Sequence, residues 1–332
     1  MDIVFLQKKS GTPKYKQIIA SIEERISTGV LKKGDKLPSL NKIKDQHLLS
    51  RDTVLTAFNE LKNRGIIHSV VGKGYYVSTE NINIEQKIFL LFDELNSFKE
   101  DLYNSFLQSL GDNIQVDIFF HHFNKKVFTK LVNDNIGDYS YYIIMPANLE
   151  GTENIIGNLP KDKVYILDQL HDSLSEYAAI YQNFEKDIYE GLSSILMNIN
   201  HYKKVILLFS EEKQPKGILK GFQRFCNQYH INFEVTASIK NRSPKLGEVY
   251  IVLDDKNLIR VIKKIKEKNL ILAEDVGIVS VNDSLLKEIV EGGITTISTD
   301  FNLMGLRLAK MILNNEKLKI ENPSRLILRK SI

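Results

Sequence analysis

The N-terminal fold is decided by residues 50–77, which read SRDTVLTAFNELKNRGIIHSVVGKGYYV. In the first half of this stretch, apolar residues recur at three- and four-residue steps, at Val54, Ala57, Phe58 and Leu61. This spacing predicts a helix that Ser50 caps at its N-terminus and that Gly65 ends. After Gly65 the apolar period shortens to about two on either side of Gly72-Lys73-Gly74, which predicts a β-hairpin.

Two further helices are predicted upstream of this stretch. Apolar residues at helical spacing predict an amphipathic helix over residues 14–28. Pro38 and Ser39 then introduce a second, short helix, because the Ser39 hydroxyl can accept a hydrogen bond from an unpaired amide of its first turn. Three helices followed by a hairpin are the layout of an α+β winged helix-turn-helix. In such a domain the third helix enters the DNA major groove.

The predicted DNA-contacting residues lie at the starts of the second and third helices and at the hairpin tip. Polar side chains there suit contacts to bases and phosphates, and the glycines let the backbone approach DNA. The candidates are Ser39, Lys42, Arg51, Asp52, Thr53, Thr56, Gly72 and Lys73. For Lys42 and Lys44, a phosphate contact and a merely solvated position are both open.

Four segments in this region occur in a recognisable order: Leu37-Pro38-Ser39, SRDTV at residues 50–54, LKNRGII at residues 61–67 and GKGYYV at residues 72–77. Together they resemble the GntR family of bacterial repressors over residues 12–78. The resemblance implies a DNA-binding domain at residues 1–78. It also implies that Arg51, Thr53 and Gly72 contact DNA.

Basic charge is concentrated in this N-terminal part. Residues 1–80 carry 14 Lys and Arg against 8 Asp and Glu, whereas the remaining residues carry 31 against 33. A small lysine-rich domain that is simply soluble would have the same charge. A basic segment beside a near-neutral body also fits an anionic partner for that segment alone, and double-stranded DNA is such a partner.

Length and composition describe a folded protein of more than one domain. The chain has 332 residues, of which 43% are hydrophobic and 26% charged, as is typical of globular proteins. Its single cysteine, Cys226, excludes an intrachain disulfide and favours a reducing compartment. The sequence contains neither an apolar run of about 18 residues nor a secretory signal. We therefore expect a cytoplasmic protein.

Residues 79–85 are polar and are predicted to be a linker, after which short apolar runs alternate with helical stretches through residues 86–332. The first set has strands at residues 88–92, 116–120, 141–145 and 164–167, and helices near 97–111, 123–135 and 150–157. The second set has strands at residues 205–209, 233–236, 249–253 and 276–281, and helices near 184–199, 216–229, 256–268 and 301–314. This alternation predicts an α/β body with two consecutive lobes of doubly wound parallel sheet. Ligands of such sheets bind at the carboxyl ends of the strands, here in the cleft between the lobes.

Several segments of the body also occur in a recognisable order, among them HYKKVILL at residues 201–208, LKGF at residues 219–222 and DVGIVSVND at residues 275–283. The series continues at residues 294–297, 301, 304–305 and 328–331. These segments resemble the LacI/GalR type of sugar-binding domain, which is related to periplasmic binding proteins. The resemblance implies that residues 86–332 form an effector-binding and dimerisation domain.

Polar residues at the predicted strand ends are the main candidates for ligand binding. Asp168, Asp254 and Asn282 suit sugar hydroxyls, which both donate and accept hydrogen bonds, although each could instead cap a helix. The phenylalanines among the candidates would pack on a sugar ring or belong to the core. The full set is Phe92, Asp93, Glu94, Phe98, Asp168, Lys216, Asp254, Asn282 and Phe301, with Gln214 and Arg242 as further donors.

The body lacks the sequence motifs of an enzyme. It contains no G-x-G-x-x-G after a strand, no P-loop, no G-x-S-x-G and no H-E-x-x-H. The His121-His122 pair has no Cys or further His at a spacing suited to metal binding. We therefore expect no catalysis, no cofactor and no metal.

Together these features predict a one-component transcriptional repressor of carbohydrate use. Two copies are expected to bind a pseudo-palindromic operator, because each winged helix reads one half-site. A sugar in the cleft would change operator affinity. The combination of head and body resembles arabinose- and fucose-type regulators, which implies a pentose or deoxyhexose monosaccharide. Two alternatives are a non-sugar effector such as a purine, and a sugar-processing enzyme with a basic accessory head.

Overall fold

The computed structural model describes residues 3–6, 12–82 and 86–332. Residues 1–2, 7–11 and 83–85, which belong to the predicted N-terminal domain and linker, lie outside the described residues. The helices are α1 (Lys14–Ser27), α2 (Leu40–His47), α3 (Arg51–Asn63), α4 (Ser97–Ser109), α5 (Lys125–Asp134), α6 (Thr152–Ile156), α7 (Phe184–Ser194), α8 (Leu196–Ile199), α9 (Lys216–Gln228), α10 (Asp255–Glu267), α11 (Leu285–Ile289) and α12 (Phe301–Leu313). Within the described ranges, none of them is long and apolar enough to span a membrane.

The strands lie in three sheets. In chain order they are β1 (Ile67–Val70), β2 (Gly74–Val77), β3 (Gln86–Phe92), β4 (Ile114–Phe120), β5 (Tyr141–Ile144), β6 (Val164–Asp168), β7 (Ala178–Tyr181), β8 (Lys204–Leu208), β9 (Phe233–Thr236), β10 (Glu248–Val252), β11 (Val276–Val281), β12 (Thr295–Thr299), β13 (Lys319–Glu321) and β14 (Ser324–Ile327). β1 and β2 form the hairpin of an N-terminal head, and the other twelve form the two sheets of the body.

The head consists of α1, α2, α3 and the antiparallel hairpin, which confirms the predicted winged helix-turn-helix. Ser39 and Ser50 cap α2 and α3, and their hydroxyls accept hydrogen bonds from the amides of Lys42 and Thr53 at 3.2 and 3.1 Å. The apolar faces of all three helices and the hairpin enclose a single core. This core fixes α3 on the surface with its first turn outward.

The first lobe is a six-stranded parallel sheet in the order β13-β7-β6-β5-β3-β4. α4 and α12 cover one face, and α5 and α6 cover the other. Because helices cover both faces, the central strands are mostly apolar. Every residue of β6 is buried, including the polar Asp168 at its carboxyl end.

The second lobe is a six-stranded sheet in the order β14-β12-β11-β10-β8-β9. It is parallel except for β14, which runs antiparallel to β12. α7, α8 and α9 cover one face, and α10 covers the other. The loops after the parallel strands of the two lobes face each other, so the predicted two-lobed α/β body is confirmed and its cleft lies at the strand ends.

The lobes are not consecutive along the chain, which differs from the two successive sets expected from the sequence. The chain passes between lobes three times, from β7 to α7, from β12 to α12 and from β13 to β14. As a result α12, expected in the second set, packs on α4 of the first lobe. Gly305 permits this packing, because a Cβ there would lie 2.3 Å from the backbone oxygen of Leu102.

The head contacts the first lobe through the C-terminal end of α3. The ammonium of Lys62 lies 2.7 Å from a carboxylate oxygen of Asp138. The Ser140 hydroxyl donates to the backbone carbonyl of Asn63 at 3.1 Å. The helix that carries the predicted DNA contacts at one end is therefore attached to the body at the other.

Candidate functional site

The N-terminal turn of α3 is open to solvent on the surface of the head. Arg51, Asp52 and Thr56 are exposed there, and the Thr56 hydroxyl donates to the Asp52 carbonyl at 2.8 Å. Thr53 is half-buried, and its hydroxyl lies 2.8 Å from that of Ser50. The turn therefore presents a guanidinium, a carboxylate and a hydroxyl on one surface, as groove recognition requires.

The hairpin tip and the start of α2 carry the other predicted DNA contacts. Gly72 and Lys73 are exposed between β1 and β2, and Gly72 has a φ of 72°, which favours glycine. Val71, which the sequence reasoning did not single out, is 99% exposed beside them. Ser39 and Lys42 are exposed at α2, where the Ser39 hydroxyl already serves as the helix cap.

A cavity of about 510 Å³ lies between the two lobes of the body. Its walls include the loops that follow β3, β4, β6 and β7 in the first lobe and β8, β10 and β11 in the second. Six of the nine predicted ligand residues line this cavity, together with Gln214: Asp93, Glu94, Phe98, Asp168, Asp254 and Asn282. The structure thus brings together residues that are far apart in the sequence.

The other predicted ligand residues do not line this cavity. Phe92 is fully buried in the core of the first lobe. Phe301 packs against Phe98 with a centroid distance of 4.9 Å and borders a separate, smaller cavity. Lys216 lines a neighbouring cavity. Arg242 is held by two carboxylates, Glu234 and Glu248, and by the Tyr250 hydroxyl, so it is not available as a donor in the cleft.

A buried group of charges forms the first-lobe wall of the cavity. Lys99, on α4, makes an ion pair with Asp93, and both side chains are buried. Asp168 is 7% exposed and accepts a hydrogen bond from Gln182 Nε2 at 2.5 Å. Burial raises the pKa of the Asp168 carboxyl, and Lys99 opposes that rise. Asp168 also has a φ of 73°, a backbone strain that is often found at binding sites.

The second-lobe wall combines a helix cap, an unpaired amide and a buried lysine. Asp254 lines the cavity and also caps α10, where it accepts from the backbone and side-chain nitrogens of Asn257, both at 2.8 Å. Asn282 has a buried Oδ1 without a hydrogen-bond partner in the described part of the chain. Lys287 is 2% exposed, donates to the Asn282 carbonyl at 2.6 Å and lies 3.3 Å from Asp255. Burial lowers the pKa of Lys287.

Sequence reasoning missed several residues of the cavity wall. They include two buried lysines, two rings and two amides: Lys99, Lys287, Phe123, Phe184, Gln169 and Gln182. The position of Gln169 directly after a strand end was an available signal. The lysines lie on helices and reach the cavity through long side chains, so no local sequence pattern marks them.

The described residues offer no metal site, since no three of their His, Cys, Asp or Glu side chains are grouped to hold an ion. His121 is buried, and its Nε2 lies 3.0 Å from the Met145 carbonyl. Burial lowers the pKa of His121. His122 is exposed. The cavity is therefore suited to holding a polar molecule by hydrogen bonds and ring contacts.

Comparison with known proteins gives independent information on both parts of the chain. The model of gntR-family bacterial regulatory proteins matches residues 14–77, and a periplasmic binding protein-like domain matches residues 200–332. The HTH-type transcriptional repressor YtrA of Bacillus subtilis is 33% identical over 104 residues, which are 30% of this chain and 79% of that protein. An arabinose metabolism transcriptional repressor of Geobacillus stearothermophilus is 22% identical over 349 residues, covering 92% of each chain.

Solved structures with the same body fold include transcriptional regulators. A LacI family transcriptional regulator from Silicibacter pomeroyi matches with a TM-score of 0.63 at 15% identity, over 74% of this chain and 98% of that one. A dimeric Lac repressor with a C-terminal deletion matches with a TM-score of 0.62 at 16% identity, over the same shares. These likenesses show that the body has the LacI-type fold.

Proposed function

This chain belongs to the gntR family of bacterial regulatory proteins, and from that premise we propose that it is a transcriptional repressor whose operator affinity is set by a carbohydrate bound between its lobes. One observation carries the proposal: a single chain joins an exposed recognition-helix turn to a polar cavity at the strand ends of a two-lobed body. The similarity to an arabinose metabolism repressor along 92% of the chain supports it.

On the DNA side, the head reads one half-site of a pseudo-palindromic operator. Arg51 suits a bidentate contact to guanine, and Lys73 suits a phosphate or the minor groove. Two heads are needed for two half-sites, so the acting species is a homodimer, as the dimeric form of the structurally similar Lac repressor supports. Such a regulator acts in the cytoplasm, where its operator lies.

On the ligand side, the cavity favours a neutral, hydroxyl-rich molecule. Its two buried lysines are already placed beside carboxylates, Lys99 by Asp93 and Lys287 by Asp255. The wall also carries the cations Lys213, Lys256 and Arg260 and the carboxylates of Glu94, Asp168 and Asp254, so neither sign of charge dominates. The carboxylates, the Asn282 oxygen and the ring faces suit a sugar with rings of pentose or deoxyhexose type. The role proposed for the cleft is binding, and not turnover.

A selection for bound DNA followed by titration with sugars tests this proposal. Full-length protein is used to enrich sequences from a random double-stranded library, and affinity for the enriched site is measured by fluorescence anisotropy. We expect Arg51→Ala to weaken binding by about tenfold or more, as loss of a bidentate base contact does. Lys130→Ala, on the exposed face of α5, is the control and should leave affinity unchanged.

The sugar arm adds L-arabinose, L-fucose, D-xylose and D-galactose to the DNA complex, with guanine and hypoxanthine as non-sugar competitors. Release by a sugar supports the proposal. If no sequence is enriched at low salt, the DNA-binding role is wrong. If only a purine releases the DNA, the carbohydrate role is wrong while the regulatory role stands.

A further inference from the structure

A second cavity lies beside the first in the space between the lobes. Its volume is about 570 Å³, and four residues line both cavities: Gln169, Gln182, Phe184 and Pro215. The rest of its wall is formed by the loop after β5, the residues after β6, the end of β7, the start of α7 and the start of α9. Lys216, predicted from the sequence to bind ligand, belongs to this second wall.

The junction of the two cavities contains a side-chain amide, that of Gln169, without a hydrogen-bond partner among the described residues. Gln169 is 8% exposed, and its side chain makes no hydrogen bond within the described ranges of the chain. Gln182, at the same junction, differs because its amide nitrogen already donates to Asp168. The amide atoms of Gln169 are open to the cavities and are therefore free to hydrogen-bond to a ligand there. A ligand that passes this point would supply that partner.

The lining of the second cavity suits an uncharged polar ring. Its charged side chains are of both signs, namely Glu150, Asp172, Glu185, Lys216 and Lys220. Mixed charges produce no strong field of one sign, so the cavity does not select an anion. The rings of Tyr181 and Phe184 offer apolar faces among these polar groups, and rings beside hydrogen-bonding groups are the usual surroundings of a bound sugar.

We propose that the effector is a carbohydrate of at least two units, with one sugar ring in the 510 Å³ cavity, a second in the 570 Å³ cavity and the Gln169 amide bonded near the linkage. This inference rests on the proposed function, because it assigns the ligand class of the same cleft. It differs from the single monosaccharide that the sequence suggests.

Isothermal titration calorimetry of the full-length protein tests the inference with matched sugars. The probes are xylobiose, arabinobiose, lactose, melibiose, maltose and cellobiose, and the monosaccharides that compose them. We expect one disaccharide to bind at least about tenfold more tightly than either of its components. If a monosaccharide binds as tightly as the disaccharides that contain it, the inference is wrong and the proposed function stands. If no sugar binds while operator binding is retained, the carbohydrate ligand itself is wrong.

Two substitutions locate the second unit. Lys216 lines only the second cavity, so Lys216→Met should weaken disaccharide binding by about threefold or more and leave monosaccharide binding within about twofold. Gln169→Leu should also weaken the disaccharide more than the monosaccharide. Lys130→Met, which replaces a lysine that lines neither cavity, is the matched control. Equal effects of Lys216→Met on both sugar sizes would overturn the assignment, as would no effect on either.

Discussion

Among single residues, the buried Asp168 carboxyl lowers the free energy of unfolding at neutral pH. Asp168 is buried, has a left-handed backbone and lies near the carboxylate of Asp93. Because burial raises its pKa, the folded state holds a proton at Asp168 more tightly than the unfolded chain does. The stability contributed by that proton is present at acid pH and is lost as pH rises through the raised folded pKa.

We therefore expect Asp168→Asn to stabilise the sugar-free protein at neutral pH and to weaken sugar binding by about tenfold or more. The amide keeps the shape of the side chain without a charge to bury. Urea denaturation of the full-length protein between about pH 4 and pH 8 measures the first effect, and calorimetry with the bound sugar measures the second. The exposed Asp112→Asn serves as a control and should change neither. A less stable Asp168→Asn protein at neutral pH would contradict this account.

At the scale of elements, the turn between α2 and α3 contains a strained residue. Leu48 follows α2 with a φ of 53° and a ψ of 46°, a conformation that glycine adopts without strain. The Leu48 side chain is 93% exposed, so little packing compensates for that strain. This turn joins the two helices of the helix-turn-helix, and its strain lowers the stability of the part that contacts DNA.

Leu48→Gly is expected to stabilise the head by about 1 kcal/mol, which is the strain relieved less part of the extra freedom of glycine in the unfolded chain. Hydrogen exchange of the α2 and α3 amides in the full-length protein would then slow. Gly29→Ala is the matched change of opposite sign, because Gly29 has a φ of 73° and a Cβ there would meet no atom within 4 Å. Faster exchange in Leu48→Gly would show that the exposed leucine contributes more than its backbone costs.

Some strands and helices of the fold were predictable from the sequence, and others were not. β11 has its predicted bounds because a fully buried strand shows as a nearly continuous apolar run. β9, a partly exposed edge strand, also has its predicted bounds, because Phe233 and Val235 alternate with the polar Glu234 and Thr236. β7, β12, β13 and β14 were not predicted, since three to five residues containing Ala, Thr, Ser or charged side chains give little periodic signal. The lobe to which α12 belongs depends on packing against α4, which local periodicity does not encode.

The sequence predicts those cavity residues that lie at the carboxyl ends of parallel strands. Asp168 is the last residue of a parallel strand, and Asp93 and Asn282 each come directly after one; such strands end at the same edge of a sheet. Phe92 is one residue earlier than Asp93, and that single step turns its side chain into the core. The buried Lys99 could not be foreseen, because its role depends on a carboxylate that only the folded chain places beside it.

At the scale of the whole molecule, the attachment of α3 to the first lobe connects the cleft to the DNA surface. The Lys62–Asp138 ion pair and the hydrogen bond from Ser140 to the Asn63 carbonyl hold the C-terminal end of α3. Lys87 of β3 adds to this contact, since it lies against Gly65 and would clash with a Cβ there. A head held in this way moves with the first lobe, so a change in lobe placement on ligand binding changes where Arg51 can reach.

Breaking this attachment should weaken the effect of the sugar on DNA without weakening sugar binding. Asp138→Asn removes the charge opposite Lys62, and we expect it to reduce the change in operator affinity caused by saturating sugar by about threefold or more. Sugar affinity in the absence of DNA should stay within about twofold, because Asp138 does not line either cavity. Anisotropy titrations of operator with and without sugar measure the first quantity, and calorimetry measures the second.

Glu176→Gln is the matched control, because it removes another ion pair of the first lobe, with Lys161, that does not involve the head. Both side chains of that pair are exposed, so its loss should alter neither operator affinity nor the sugar effect. If Asp138→Asn and Glu176→Gln release DNA at the same sugar concentration as the unmodified protein, the ion pair with Lys62 does not carry the signal. The hydrogen bond from Ser140 to Asn63, the contact of Lys87 with Gly65 and the chain connection through residues 79–85 would then remain as routes by which lobe movement reaches the head.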